Sequence, residues 1–156
     1  MGSNTYSATL HRSWAADLDA ATLYELLRLR VNVFVVEQRS PYTELDGRDL
    51  EPRARHYWLT GAEHPVLGCV RLLKEPDRGH RIGRLCVAAP KRGHGLGRQL
   101  MDAVLAEVGE GACRADVRQP LASFYARYGF APVGEPYDWA GVTHVPLRRP
   151  GRGPGS

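Results

Sequence analysis

The feature that most constrains this sequence is a glycine-rich turn between an apolar, strand-like run and an apolar, helix-like run. The turn reads Pro-Lys-Arg-Gly-His-Gly-Leu-Gly-Arg over residues 90–98, and helical spacing of apolar residues continues from Leu100 to Val108. Three glycines leave backbone N–H groups uncovered by side chains where the helix begins. Such N–H groups, together with the positive end of the helix dipole, bind phosphate. The turn is therefore predicted to bind a pyrophosphate.

The spacing of the glycines separates three kinds of phosphate-binding turn. A P-loop places Ser or Thr after Gly-Lys to hold magnesium, whereas here Gly97 is followed by Arg98 and Gln99. A dinucleotide-binding turn has the spacing G-x-G-x-x-G, whereas Gly93, Gly95 and Gly97 give G-x-G-x-G. Neither of these two kinds of site fits the sequence.

The third kind of turn fits, and a second motif supports it. Arg92-x-x-Gly95-x-Gly97 resembles the R/Q-x-x-G-x-G/A signature of the GCN5-related N-acetyltransferases (GNAT), which bind the pyrophosphate of acetyl-coenzyme A. Downstream, the segment 124–130 resembles the F-Y-x-x-x-G-F segment of that family, in which a short helix ends at a glycine and a strand begins. Gly129 suits that helix end because glycine readily adopts a positive φ.

The resemblance implies a mixed α/β fold, the GNAT acyl-CoA N-acyltransferase fold. It is a single three-layer αβα domain around a central, twisted and mostly antiparallel sheet, assigned to residues 1–149. The apolar patterns predict a helix capped by Asp19, a long loop or broken helix from Arg39 to Arg55, and helices over 94–108 and around Tyr125. Strands are predicted at 6–14, 56–60, 66–73, 81–88, 112–118, 130–137 and 142–148. The Gly, Pro and Arg tail at 150–156 is expected to be disordered.

The composition is that of an ordinary soluble globular domain, with 43% hydrophobic and 24% charged residues among 156. No apolar run approaches the roughly 20 residues that span a bilayer, and the N-terminus lacks a signal-peptide pattern, so a cytoplasmic protein without a membrane partner is expected. Cys69, Cys86 and Cys113 lie in strand-like segments, which favours reduced core thiols. No His, Cys and Asp cluster has metal-ligand spacing, so no metal is expected.

The formal net charge of +4 raises the question of nucleic-acid binding. Only Lys74 and Lys91 are lysines, and the remaining basic residues are arginines. So skewed a ratio is more typical of codon bias in a GC-rich genome than of a phosphate-binding face. Because the sequence contains neither a long basic run nor a basic stripe rich in aromatic residues, no nucleic-acid partner is expected.

The front half of the sequence resembles one branch of the family. Residues 29–38, Leu-Arg-Val-Asn-Val-Phe-Val-Val-Glu-Gln, resemble the L-R-x-x-V-F-V-x-E-Q segment of the ElaA-type acetyltransferases. The resemblance continues at 41–49, 55–56, 88–101, 124–130 and 141–144, so it covers most of residues 20–148. Arg118 stands where this branch often has Gln, so no function of that Gln is transferred to this chain.

The resemblance implies that an amine attacks acetyl-coenzyme A directly, without a covalent enzyme intermediate. Tyr125 aligns with a family tyrosine near the coenzyme A sulfur, and it is expected either to protonate the leaving thiolate or only to pack on the pantetheine arm. The backbone N–H of Val87 is expected to orient the thioester carbonyl. The residues expected to bind coenzyme A are Leu85, Cys86, Val87, Arg92, Gly93, His94, Gly95, Leu96, Gly97, Arg98, Ser123 and Tyr125.

The acceptor side is predicted from charged residues in the first half of the chain. Glu37 follows the apolar run Phe-Val-Val and is expected either to be the general base or to be a buried structural carboxylate paired with Arg30 or a backbone amide. The alternative bases are a water relay, Asp46, Asp49 and His56. The acidic residues between Glu44 and Glu51 are predicted either to attract a cationic amine or to form a solvated face. The candidate acceptor-binding residues are Glu37, Asp46, Asp49, His56 and His144.

Three functions stay open from the sequence alone. The leading one is an acetyl-CoA-dependent N-acetyltransferase acting on a small-molecule or protein amine. The second is a non-catalytic acyl-CoA sensor, against which Tyr125 and Glu37 argue mildly. The third is an acyl-homoserine-type signal synthase, but the complete turn at 92–97 favours coenzyme A over an acyl-carrier protein as donor. The protein is expected to be a monomer or a homodimer.

Overall fold

The fold is a single sheet with helices on both faces, seen in a computed structural model that describes residues 7–63, 65–77 and 79–151. The sheet has eight strands in the order β1-β2-β3-β4-β5-β8-β6, with β7 also paired to β8. Only the β4–β5 pair among these is parallel, so the predicted mostly antiparallel sheet is confirmed. The elements are β1 (Thr9–Trp14), α1 (Ala20–Val31), β2 (Arg55–Thr60), β3 (Gly68–Lys74), β4 (His80–Val87), α2 (Leu96–Val108), β5 (Cys113–Arg118), α3 (Ala122–Ala126), β6 (Ala131–Pro132), β7 (Tyr137–Trp139) and β8 (Val142–Arg149).

Neighbouring residues of β2 face two separate apolar layers. Tyr57 packs in the large core with Leu100 of α2, whereas Trp58 packs against the cluster that contains Leu26 of α1. Because successive side chains of a strand point to opposite faces, α1 and α2 lie on opposite sides of the sheet. The predicted three-layer arrangement is confirmed. The predicted tail lies outside the described residues from position 152 onward.

The first helix begins where the sequence predicts it and ends in a wider turn. The Oδ1 of Asp19 accepts a hydrogen bond from the N–H of Thr22 at 2.7 Å, which confirms the predicted N-cap. After Val31 the chain continues as a π-helical turn, Asn32–Glu37. Turns of this kind occur frequently at functional sites, and this one leads the chain toward the glycine-rich turn.

The prediction of one strand over 130–137 is wrong, because β6 and β7 are separate short strands that each pair with β8. Pro132 and Pro136 have no N–H to donate, so the ladder is interrupted between them. An added Cβ on Gly134 would lie 3.2 Å from the Cγ of Pro146, so the chain passes close to β8 here. Gly129 has φ +91° at the end of α3, as its predicted position requires.

β4 and β5 are paired only where they begin. The parallel register joins His80 to Cys113 and Arg81 to Arg114, although both strands continue well beyond these residues. Between β3 and β4 the register shifts, and Arg84 lies at the shift with φ +57°. This β-bulge bends β4, and the two strands separate into an open fork.

A partly buried network of ion pairs joins the long loop between α1 and β2 to the sheet. It joins three arginines of α1, β3 and β4 to three carboxylates of the loop, namely Arg30, Arg71, Arg84, Glu44, Asp46 and Asp49. Arg30 Nη1 lies 2.6 Å from Asp49 Oδ1, and Arg30 Nε lies 2.7 Å from Glu44 Oε2. Burial alone would raise the pKa of Asp46, but hydrogen bonds from Arg71 and from the Arg48 backbone lower it to about 2. These loop carboxylates are therefore neutralised by arginines and do not form a free acidic face.

Replacing Arg30 with methionine is expected to lower the free energy of unfolding by about 3–5 kcal/mol, because Glu44 and Asp49 would stay buried without their main partner. Urea unfolding at pH 7 measures this change. The control is Arg28→Met, since the Arg28 side chain is 64% exposed and pairs with Glu25 at 3.7 Å. That control should change the free energy by no more than about 0.5 kcal/mol. Equal losses for the two variants would contradict a stabilising network.

Candidate active site

The glycine-rich turn lies between β4 and α2 and has the backbone conformation that glycine favours. Gly93 has φ +85° and Gly95 has φ +77°. Apart from the two chain neighbours of each glycine, no heavy atom of the described residues lies within 4 Å of the position that a Cβ would take there. Gly95 is the N-cap of α2 and has no side chain to bind the first-turn N–H groups. The turn therefore fits the pyrophosphate predicted for it.

The other residues of the turn divide between core and surface. An added Cβ on Gly97 would lie 4.0 Å from Phe124 Cζ and 4.0 Å from Val87 Cγ2, so this glycine lies at the contact of α2 with α3 and β4. Leu96 is buried in the core, which leaves only its backbone N–H for a ligand. His94 and Arg98 are exposed within the turn, and Ser123 of α3 is also exposed.

The first arginine of the turn is bound by the carboxylate predicted to be the general base. Arg92 donates to Glu37 from Nη1 at 2.5 Å and from Nη2 at 3.0 Å, and its Nε donates to the Val87 carbonyl at 3.0 Å. The hydrogen bonds and charge of Arg92, with a smaller contribution from Arg118, lower the pKa of Glu37. A general base works best when its pKa is near the operating pH. Glu37 is therefore better placed to position Arg92 than to accept a proton. Its partner is Arg92 and not Arg30, which pairs with Glu44 and Asp49.

The backbone edge of β4 at the fork carries an N–H that no strand pairs. The N–H of Ala88 donates to the Leu67 carbonyl at 2.8 Å, on the β3 side. Because successive N–H groups in a strand point to opposite edges, the N–H of Val87 points toward the fork. β5 pairs with β4 only at His80 and Arg81, far from this position. The predicted donor to a thioester carbonyl is thus placed at the fork.

A cavity of about 460 Å³ lies beside the fork. β4 and the end of β5 form its floor, the segment from Phe34 to Arg48 forms one wall, and the β7–β8 hairpin forms the other. The Oγ of Ser40 donates to the carbonyl of Ala140 at 3.0 Å and so joins the two walls. This volume lies within the range of small-molecule sites, which extends from about 300 to 1,000 Å³.

Tyr125 of α3 lines this cavity although only 3% of the residue is exposed. Its ring packs edge-on against Phe124 and Phe130, with centroid distances of 5.8 and 5.4 Å. Burial raises the pKa of the Tyr125 hydroxyl, so the group is protonated at neutral pH. That protonation state is the one a proton donor needs, while its function as the acid stays a prediction.

The structure divides the predicted acceptor-binding residues into two groups. Asp46 and His144 line the cavity, whereas Asp49 and His56 lie outside its lining and are buried. The Nε2 of His56 lies 2.9 Å from the carbonyl oxygen of Asp49, and burial lowers the pKa of His56. These contacts give Asp49 and His56 a structural environment behind the cavity. Glu37 also lies outside the lining.

Two aromatic rings pack against His144, and the sequence patterns do not predict this aromatic cluster. The Nδ1 of His144 lies 2.9 Å from the Val142 carbonyl oxygen, and donation by Nδ1–H leaves a lone pair on Nε2. The imidazole stacks on Tyr137 at a centroid distance of 5.7 Å and meets Trp139 edge-on at 5.8 Å. The one local signal was the concentration of aromatic residues next to the turn at Ala140.

An ion pair across the fork is the second feature that sequence patterns do not reveal. Asp116 of β5 pairs with Arg81 of β4, and its Oδ1 also accepts a hydrogen bond from the Tyr137 hydroxyl at 2.9 Å. Further along β5, the Nε of Arg118 is buried and has no hydrogen-bond partner in the part of the chain that the structure describes. Within that same part, no group of three or more metal-ligating side chains is found.

The chain matches an acetyltransferase family model and several relatives over most of its length. The family model described as "Acetyltransferase (GNAT) domain" matches residues 23–149. A UPF0039 protein of Mycobacterium tuberculosis is 50% identical over 147 residues, which are 92% of this chain and 94% of that protein. Protein ElaA of Escherichia coli is 36% identical over 146 residues, which are 90% of this chain and 93% of ElaA.

Solved structures agree with the sequence matches. An acyl-CoA N-acyltransferase from Pseudomonas aeruginosa superposes with a TM-score of 0.85 at 36% identity, covering 92% of this chain and 99% of that one. The chain therefore belongs to the GNAT acyltransferases, and within them to the ElaA-type branch, as its motifs predict. No helix among residues 7–63, 65–77 and 79–151 is long and apolar enough to cross a membrane.

Replacing Gly95 with valine is expected to weaken coenzyme A binding by about 100-fold or more, as measured by titration calorimetry. A β-branched residue strains the backbone at φ +77° and places methyl groups beside the first-turn N–H groups of α2. Gly109→Val is the matched control, because Gly109 lies at the other end of the same helix with φ +62°. The control should lose stability but keep its coenzyme A affinity. Unchanged binding in Gly95→Val would contradict a pyrophosphate site at the turn.

Proposed function

We propose that the protein transfers an acetyl group from acetyl-coenzyme A to a primary amine within a ternary complex. The observation that carries this proposal is the shared position of the donor and acceptor features at the fork between β4 and β5. In the proposal the turn at 92–97 binds the pyrophosphate, and the β4 edge at Leu85–Val87 binds the pantetheine arm. The cavity beside the fork, with Tyr125 in its lining, receives the amine.

The chain's own groups supply orientation and proton transfer. The N–C bond forms as the C–S bond breaks, and the hydroxyl of Tyr125 gives its proton to the leaving thiolate. The proton that the newly acylated nitrogen releases then restores the Tyr125 hydroxyl. The N–H of Val87 donates to the thioester carbonyl oxygen, where negative charge develops. An amine with a pKa of about 10.4 is neutral in only about one molecule in 2,500 at pH 7, so its ammonium proton must also be removed.

His144 is the group we assign to that proton removal, directly or through water in the cavity. Its Nδ1 is fixed by the Val142 carbonyl, so Nε2 is the nitrogen that can accept a proton. Glu37 is less suited, because Arg92 binds both of its carboxylate oxygens and it lies outside the cavity lining. In this proposal Glu37 holds the Arg92 side chain in place at the start of the phosphate-binding turn.

A thiol-release assay with acetyl-coenzyme A and a panel of amines tests the function. The panel contains free amino acids, diamines, aryl amines and lysine-containing peptides. We expect at least one class of amine to release thiol with saturation kinetics, and mass spectrometry should show one acetyl group added to the amine. Tight coenzyme A binding without thiol release for any amine would favour the acyl-CoA sensor. Release with homoserine-type substrates and long acyl chains alone would favour the signal synthase.

Replacing Tyr125 with phenylalanine is expected to lower kcat on the order of 100-fold, the usual contribution of a positioned proton donor. Because burial raises the pKa of the Tyr125 hydroxyl, the group stays protonated and the loss should be constant from pH 6 to 9. The control is Tyr128→Phe, since Tyr128 packs against Phe124 at 5.4 Å and lies outside the cavity lining. A kcat unchanged by Tyr125→Phe across this pH range would leave Tyr125 only a packing function.

A further inference from the structure

Five arginines line the cavity, and one of them forms no ion pair with a carboxylate of the described residues. Four pair with carboxylates of the protein: Arg48, Arg71, Arg81 and Arg84. Arg118, in contrast, forms no ion pair and no hydrogen bond within the described residues, and its Nε is buried. The cavity therefore keeps one guanidinium that no carboxylate of the described residues binds directly.

Two carboxylates on the Arg118 side of the cavity already have other partners. Asp116, two residues earlier on the same face of β5, is bound by Arg81 and by the hydroxyl of Tyr137. Glu37, whose pKa Arg118 helps to lower, is bound through both oxygens by Arg92. Neither carboxylate is free to turn toward Arg118 without breaking a hydrogen-bonded ion pair.

The position of Arg118 relates it to the acceptor. It is the last residue of β5, it lies opposite His144 in the β5–β8 register, and it lines the same cavity as Tyr125. An amine directed at the fork would thus hold the rest of its structure near this guanidinium. A second ammonium on that acceptor would be repelled, whereas an anionic group would be attracted.

We infer that the acceptor is a small amine that also carries a carboxylate, which Arg118 binds while the amine points to the fork. The inference rests on the proposed function. A planar guanidinium can donate two parallel hydrogen bonds to the two oxygens of a carboxylate. In a partly enclosed cavity such a pair is screened less than on an open surface. The acceptor class is therefore that of amino acids, and diamines and lysine-rich peptides are disfavoured.

The test compares each free amino acid with its C-terminal amide in the thiol-release assay, at saturating acetyl-coenzyme A. The acid should have a KM below that of its amide. In Arg118→Gln the KM of the best acid should rise roughly 10- to 100-fold, the effect of losing a charge-assisted hydrogen bond. The KM values of the matching amide and of acetyl-coenzyme A should stay unchanged. Arg118→Lys keeps the positive charge but not the two parallel N–H donors, so its KM for the acid should lie between those of the parent protein and of Arg118→Gln.

Arg114→Gln is the matched control, because Arg114 lies on the same face of β5 but is exposed, outside the cavity, and paired with Asp77 at 2.6 Å. Its kinetic constants should equal those of the parent protein. Equal KM values for acids and amides, a preference for diamines or amino-phosphates, or an Arg118→Gln effect confined to the KM of acetyl-coenzyme A would each overturn the inference while the transferase function stands. If none of the amines tested supports thiol release, both this inference and the proposed transferase function are wrong.

Discussion

The separation of β4 from β5 is the constraint on which the rest of the site depends. Paired parallel strands satisfy each other's backbone groups, so strands that separate leave polar groups for another molecule to bind. Here the β-bulge at Arg84 bends β4, and its φ of +57° is costly for a residue other than glycine. The Arg84 guanidinium binds the side chain of Glu44 at 2.7 Å and its carbonyl at 2.9 Å, and these contacts stabilise the bulge.

The same carboxylate connects the bulge to the acceptor side of the molecule. Glu44 is 3% exposed and accepts hydrogen bonds from Arg30 of α1 and from Arg84 of β4, both at 2.7 Å. The loop that carries Glu44 continues into the cavity wall at Asp46 and Arg48. One buried anion therefore fixes α1, the bulge and the wall relative to one another. Because Arg30 and Glu44 are both charged and buried, removing Arg30 would leave Glu44 with an uncompensated desolvation cost.

Local signals in the sequence were sufficient for the elements that frame the donor site. Asp19 caps α1 by accepting a hydrogen bond from the N–H of Thr22, three residues later. Gly95 and Gly129 lie at helix ends with positive φ. Short-range spacing in the sequence is enough to predict all three positions. The partner of Glu37 could not be predicted in this way, because Arg92 lies far along the chain and meets it only through the folded sheet. The split between β6 and β7 has a local cause in two prolines.

A donor site made of backbone groups and an acceptor site made of side chains respond differently to substitution. In the proposed function, the donor side relies on backbone N–H groups at Val87 and at the start of α2, which a change of side chain leaves in place unless it strains the turn. The acceptor cavity is lined by the side chains of arginines, aromatic residues and His144, so one substitution there changes charge or shape directly. A fold of this kind can therefore keep one donor while its acceptor changes, and in the function proposed for this chain Arg118 is the residue that selects the acceptor.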